Sequence, residues 1–405
     1  MAHPLDSVPF SGIIRIRDMM YGVENPFRLD QGDVSFNTPT SVKNGMLRAI
    51  AQNFTHYVQT TGVPRLRELI AEKMRRKNGV PVDDPEEVMV TNGGIHALYV
   101  MCRGLLEDGD EVLVPDPEWP PCMGSILAAR AVPVGCPVYE SRQWRYDLDE
   151  LESLITPRTR AIYLNSPHNP TGGVLRREDL ARIAAIASER GLWVFSDEAY
   201  EDVVYDDAEH VSIASLPGMY GRTIPFYTFS KSYAMTGLRL GYVAVRDAKM
   251  RERMKKVLFY TASNISSVVQ YGGIAALEGS QECIEEFRRE LEARRDLFYA
   301  GIRDLDGILS RAPPLGAFYA FLRIDPAWTP SVTRSGGRDR STSSISWAMA
   351  EHLIKDGRIG CVPGADFGRQ GEGYLRFCFA RERSELTGAV GQLKVLSGKW
   401  KVSSQ

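Results

Sequence analysis

The sequence predicts an α/β protein: a mostly parallel, doubly wound sheet in a larger domain, with a smaller α+β domain beside it. Three observations carry this. Short apolar runs recur between Val88 and Val245, and helical periods separate many of them. Alternation of that kind favours a sheet with helices on both faces. Beyond about residue 282 the order changes, and fewer strands are mixed with amphipathic helices.

In chain order, buried parallel strands are expected at Val88–Thr91, Glu111–Val114, Ala161–Leu164, Leu192–Ser196, Pro225–Phe229 and Gly241–Val245. Leu180 to Arg190 repeats apolar residues at helical spacing and stops at Gly191. Glu282–Gly301 is charged and amphipathic, and reads as a long helix leaving the sheet. Short strands follow around Ala317–Ile324 and Tyr374–Phe379, with helices at Ile345–Lys355 and Arg381–Ser397. Ser331–Ser344 is polar, rich in glycine and serine and without period, as in a flexible surface loop.

Composition excludes more than it assigns. Lys plus Arg is 49 and Asp plus Glu is 51, a net charge of −2, which argues against general affinity for nucleic acid or anionic membrane. No apolar run has the roughly 20 residues needed to span a bilayer. The first residues lack the pattern of a secretory signal. The six cysteines are scattered without a CxxC pair, so free thiols in a cytoplasmic protein are expected, with no metal site.

Many of the 36 glycines and 23 prolines fall at the carboxyl ends of the expected strands, the ligand-binding edge of a doubly wound sheet. Four loops there are informative. Thr91-Asn92-Gly93-Gly94-Ile95 runs a strand into a helix, either as a plain turn or as a backbone cradle for an anion. Asn165-Ser166-Pro167-His168-Asn169-Pro170 is stiffened by two X-Pro steps and presents Asn169. Asp197 follows an apolar strand, where it either caps a helix or, if buried, requires a cationic partner. Thr228-Phe229-Ser230-Lys231 places a lysine after another strand end, with Arg239 eight residues on. Pyridoxal phosphate needs one group from each loop: a lysine for a Schiff base, an acid at the pyridine nitrogen, donors to the phenolate oxygen and a phosphate cradle.

With these residues in view, the chain resembles the class I/II aminotransferases, the fold type I pyridoxal phosphate enzymes of the aspartate aminotransferase kind, from about Gly12 to about Leu396. The most specific segment is Ser230 to Tyr242 (SKSYAMTGLRLGY), supported in order by SPHNPTG and SDEAY. The resemblance implies that Lys231 carries the cofactor and later moves the proton. Asp197 would pair with the pyridinium nitrogen, and Asn169 and Tyr200 would bond the phenolate oxygen. Arg239, Thr228 and Ser230, with the backbone of Gly93, Gly94 and Ile95, would hold the phosphate. Trp119 would stack on the ring. Arg376, in YLRFCFA, would grip the substrate carboxylate, with Gly32 in a loop covering it. Tyr57 would reach the neighbouring subunit's site, implying a homodimer with shared active sites. It further implies residues 45–285 as the cofactor-binding domain, 12–44 with 286–405 as the small domain, and 1–11 as an arm.

The implied reaction takes an amino group from an L-amino acid to a 2-oxo acid such as 2-oxoglutarate by ping-pong kinetics. A β-lyase, decarboxylase or cyclase of the same fold shares the cofactor motifs. A DNA-binding regulator has too little sequence before Gly12, and a dehydrogenase lacks the glycine fingerprint. Arg15, Arg17 or a residue near His96 could meet a second substrate carboxylate. Phe10, Tyr21, Phe36, Phe318 and Tyr319 could favour aromatic or large apolar substrates. Aspartate and aromatic amino acids are the leading expected donors.

Overall fold

Eight strands form one sheet: β1 (Val88–Thr91), β2 (Glu111–Asp116), β3 (Val132–Tyr139), β4 (Arg145–Tyr146), β5 (Thr159–Asn165), β6 (Trp193–Asp197), β7 (Thr223–Thr228) and β8 (Gly241–Ala244). Their order is β1-β8-β7-β6-β5-β2-β3-β4. The structure, a computed structural model, describes residues 6, 8, 10–309, 312–328 and 344–400. Of the expected Ser331–Ser344 loop only Ser344 falls among them, as the side-chain cap of helix Ile345–Gly357.

The central strands β2, β5, β6 and β7 pair in parallel and are buried on both faces, which is why they read as near-continuous apolar runs. Two expectations need correction. The Gly241–Val245 strand is antiparallel to both its neighbours, β1 and β7. The connection from β7 holds only two single helical turns, Phe229–Ser232 and Thr236–Leu238, and no helix long enough to carry the chain back across a face of the sheet. Strand β3 was not anticipated, because Pro133, Gly135 and Pro137 interrupt it and much of it is exposed.

Side-chain alternation divides the central strands between two apolar clusters. Ala161 and Tyr163 of β5 and Phe195 of β6 pack with Leu98 and Met101 of helix Gly94–Leu105. Ile162, Leu164 and Val194 pack on the other face with Leu180, Ile183 and Ile186 of helix Arg177–Arg190. The alternation carries Asn165 and Asp197 to the strand ends on the same side as Tyr163 and Phe195.

A second sheet, β10-β11-β9, is antiparallel: β9 (Tyr319–Arg323), β10 (Val362–Pro363) and β11 (Tyr374–Cys378). Its apolar cluster joins the two ends of the chain, Ile16, Met20, Leu29 and Val34 with Leu291 through Leu396. The early segment is stitched on by backbone bonds, Cys378 N–H to Leu29 C=O at 2.7 Å and Ser35 N–H to Ala380 C=O at 3.0 Å. All six cysteines are free. Among the described residues no helix is long and apolar enough to cross a membrane, and no group of His, Cys, Asp or Glu could hold a metal ion.

Candidate active site

The carboxyl ends of β1, β5, β6 and β7 share one edge, because Thr91 and Thr228 both pair with Gly241 and Asn165 pairs with Asp197. A cavity of about 310 Å³ opens there. Twelve of the expected site residues line it: Gly32, Gly94, Ile95, Trp119, Asn169, Asp197, Tyr200, Thr228, Ser230, Lys231, Arg239 and Arg376. A second cavity, of about 350 Å³, shares only Thr228 with them, and its charges are largely paired, Lys73 with Glu201 and Arg288 with Glu285.

One end of the site is an anion cradle. Helix Gly94–Leu105 starts from Gly93 with no side-chain cap, so its first N–H groups and the dipole's positive end stay available. Gly93 holds φ +79, and a Cβ there would sit 2.4 Å from an Arg239 guanidinium nitrogen. Gly93 therefore lies behind Arg239 rather than on the cavity surface. Arg239 donates to the Thr236 carbonyl at 2.8 Å. Thr228 caps the short helix carrying Lys231, accepting from the Ser230 N–H at 3.1 Å, and its hydroxyl donates to Ser230 Oγ at 2.8 Å.

Asp197 marks the other end. It is 5 % exposed, and among the described residues no Lys, Arg or His lies within ion-pair distance of it. Its donors are the Tyr163 hydroxyl at 2.9 Å and the Ala199 N–H at 3.1 Å. Burial is the main cause that raises its pKa, to about 7; nearby Glu118 and Glu198 push the same way, and the two donors oppose them. An uncompensated buried carboxylate at a cavity wall fits a cationic ligand group, as the sequence requires of a buried Asp197.

Between the ends sits Lys231, whose Nζ donates to the Gly32 carbonyl at 2.7 Å. Burial lowers its pKa to about 8, helped by Arg239 and Arg376 against Asp33 and Cys378. A neutral amine, the nucleophilic form, is thus accessible near neutral pH. Arg376, 2 % exposed, donates to Asn169 Oδ1 and to the Asp30 carbonyl, both at 3.0 Å, and lies 4.5 Å from the Tyr319 ring centre. Its Nε is buried without a partner. Tyr200 and Tyr319 share a hydroxyl hydrogen bond of 2.8 Å. Gly32 fits beneath them only without a side chain, since a Cβ would come within 2.5 Å of the Tyr319 hydroxyl.

Tyr57 stands apart. It is 89 % exposed, beside a surface hollow lined by Thr55, His56 and Asn264. Several expected pocket residues are also elsewhere. Arg15 pairs with Glu351 and Arg17 with Asp18. His96 bonds the Asn92 N–H and Thr261. Phe10 and Tyr21 are exposed, Phe36 stacks on Phe287, and Phe318 packs edge-on to Tyr200 behind the wall. Of the five aromatic residues named for substrate preference, only Tyr319 lines the cavity, joined by the unanticipated Ile13, Asn165 and Ala199.

Two further residues escaped sequence reading. Tyr163 sits inside an apolar run and reads as core. The signal is its phenol, since a buried tyrosine hydroxyl needs a partner. Glu118 precedes Trp119 and is fully buried. It accepts from the Trp119 N–H at 2.7 Å and Asn165 Nδ2 at 3.0 Å, and lies 3.3 Å from His168 Nε2.

Residues 24–393 match the model of the family described as aminotransferase class I and II. This chain belongs to that family. It is an enzyme, an aminotransferase. It is 37% identical over 402 residues to the aspartate aminotransferase of Pyrococcus abyssi, covering 98% of this chain and 99% of that protein. It is equally 37% identical, over 398 residues and 98% of each chain, to aromatic-amino-acid aminotransferase 2 of Thermococcus litoralis. The solved aspartate aminotransferase from Thermus thermophilus with maleate superposes with a TM-score of 0.87 at 31% identity, over 98% of this chain and 99% of that one. The family's fold type I architecture accounts for the large, mostly parallel sheet and the smaller antiparallel one.

Proposed function

We propose that this chain is a pyridoxal 5'-phosphate-dependent amino acid aminotransferase acting by a ping-pong mechanism between an L-amino acid and a 2-oxo acid such as 2-oxoglutarate. The observation that carries the reading is the cavity that sets a depressed lysine between an uncapped helix start and a buried, cation-free Asp197. Bound pyridoxal phosphate supplies an electron sink that makes the substrate Cα–H acidic. Lys231 would hold its aldehyde carbon through Nζ. Asp197 would meet the ring nitrogen, Trp119 the ring face, and Asn169 and Tyr200 the phenolate oxygen. Arg239, Thr228, Ser230 and the backbone of Gly94 and Ile95 would take the phosphate, with Gly93 leaving room for the Arg239 guanidinium.

Displaced by substrate, Lys231 has its amine free to accept the Cα proton and return it elsewhere, a role that suits a pKa near 8. Arg376 offers a planar, buried donor pair to the α-carboxylate, and Asn169 fixes its orientation. Gly32 belongs to the segment covering that contact. Tyr319 and Ile13 give the cavity an apolar flank suited to aromatic or large neutral side chains, while aspartate remains a donor of the same reading. Tyr57, exposed here, completes a neighbour's site in a cytoplasmic homodimer. Residues 45–285 are taken as the cofactor domain, and 12–44 with 286–405 as the domain that closes on it.

The test is Lys231→Ala with a panel of donors and 2-oxoglutarate. Turnover should disappear while pyridoxal phosphate still binds without a borohydride-reducible link. Glutamate formation at near-normal rate in this variant would overturn the assignment, as would release of ammonia instead of glutamate by the wild type.

A further inference from the structure

The Asp197 carboxylate shares its buried wall with a second acid, Glu118, and only one of the two touches Tyr163. The Tyr163 hydroxyl donates to Asp197 Oδ2 at 2.9 Å, and the Ala199 N–H holds Oδ1 at 3.1 Å. Tyr163 is fully buried, and its own carbonyl is fixed by the Tyr146 hydroxyl at 3.0 Å, so the ring has little freedom to leave. Glu118 is satisfied separately by Trp119, Asn165 and His168. The titratable groups facing Asp197 are Tyr163 from β5, Glu118 from the loop after β2, Cys122 from helix Pro120–Ala128, Glu198 beside it in the chain and Tyr200 beyond that. Two of these, Glu118 and Glu198, are carboxylates that oppose a further negative charge on Asp197. Tyr163 alone among them gives Asp197 a side-chain hydrogen bond.

We propose that Tyr163 is a positioning residue for the cofactor's ring nitrogen: its hydroxyl aims the Asp197 carboxylate and keeps it, rather than Glu118, as the acid that pairs with a pyridinium. This rests on the function proposed above. The physical reason is that a hydrogen bond donated to the ionised form favours that form, and a buried, fixed donor does so without reorganisation. The phenol does not reach substrate. Its influence runs through Asp197 alone.

Tyr163→Phe removes one oxygen from a packed site. In the cofactor-free protein, with carboxyl-labelled aspartate assigned by the Asp197→Asn variant, the Asp197 titration should move up by roughly one unit. Affinity for pyridoxal 5'-phosphate by equilibrium dialysis should fall about tenfold, the same shift expressed as binding. The 1-deaza analogue, with carbon in place of the ring nitrogen, should bind both proteins alike. Equal weakening toward cofactor and analogue, or an unmoved Asp197 titration, would reduce Tyr163 to a core residue and overturn the inference. A wild type that binds no pyridoxal phosphate would instead sink the underlying reading. Where the phenylalanine variant does not fold, 3-fluorotyrosine at position 163 keeps the shape and strengthens the donor. The Asp197 titration should then move down, and an upward or absent shift counts against the inference.

Discussion

Arg239 and Arg376 face one cavity from opposite walls. On the large-sheet side the wall is mostly backbone: an uncapped helix start, Gly93 at φ +79, and Arg239 itself at φ +57 with its guanidinium on the Thr236 carbonyl. On the small-sheet side the wall is built from side chains. Arg376 is held by Asn169, the Asp30 carbonyl and the rings of Tyr319 and Phe367, without a carboxylate partner. A backbone wall tolerates many exchanges around it but no added Cβ at its contact point. A side-chain wall orients a charge through its neighbours, so even a conservative exchange disturbs it. An anion arriving at the buried Arg376 also relieves an unpaired charge, which gives that contact the larger binding return.

The sharpest way to separate the walls starts with the acid between them. Asp197 ionises near 7 in the folded, cofactor-free chain against an ordinary 3.8. Between those values the unfolded chain has lost a proton that the folded chain keeps, so stability from this group falls as pH rises and levels off above 7. Asp197→Asn should therefore stabilise the cofactor-free protein by up to about 4 kcal/mol at pH 8 and by little near pH 4, while abolishing transamination. Urea titrations at both pH values check this, and a pH-independent difference would contradict the burial argument. Next in size is Arg376→Lys. Losing the planar, bidentate contact should cost roughly 3 kcal/mol, about 10²-fold in kcat/KM for every α-amino acid donor, with cofactor affinity unchanged. A loss confined to one donor would place Arg376 on the side-chain end of the substrate instead. The smallest effect belongs to the backbone wall: Gly93→Ala should cost about 1–2 kcal/mol of stability through its positive φ. It should also push Arg239 aside and weaken cofactor binding measured by dialysis. Unchanged affinity would show that Arg239 does not need that close approach.

The same division explains what the sequence made legible. Val88–Thr91 and the central strands stand out because burial on both faces leaves an unbroken apolar run. Strand β3 does not, since β4 covers only its Val138 and Tyr139 and the rest of its outer side is unpaired, where prolines and polar exposure are tolerated. The direction of β8 depends on the lack of a crossover helix in its connection rather than on composition. Lys231, Asp197 and Asn169 stand out because each is polar at or just past the end of an apolar strand, and Arg239 because it is charged just before the next one. Tyr163 and Glu118 do not. Their partners lie 34 residues away in the case of Asp197 and 50 in the case of His168, and only the fold brings them together. Arg15 and Arg17 misled for the opposite reason: a charged residue near the covering segment is easily satisfied on the surface by Glu351 or Asp18.

The apolar cluster shared by the two chain ends sets a schedule for synthesis. Ile16, Met20, Leu29 and Val34 bury their side chains in a cluster drawn mostly from residues from Leu291 onward, whereas the parallel strands find their partners among near neighbours. At roughly 5–20 residues per second on the ribosome, the first segment waits about 10–50 s for its packing partners while the large sheet can already assemble. Throughout that interval the Gly32 carbonyl, which meets the lysine amine in the finished molecule, is held back with the rest of its segment. The segment from Leu291 onward is thus what brings Ile16 through Val34 into register with the edge that carries the cavity.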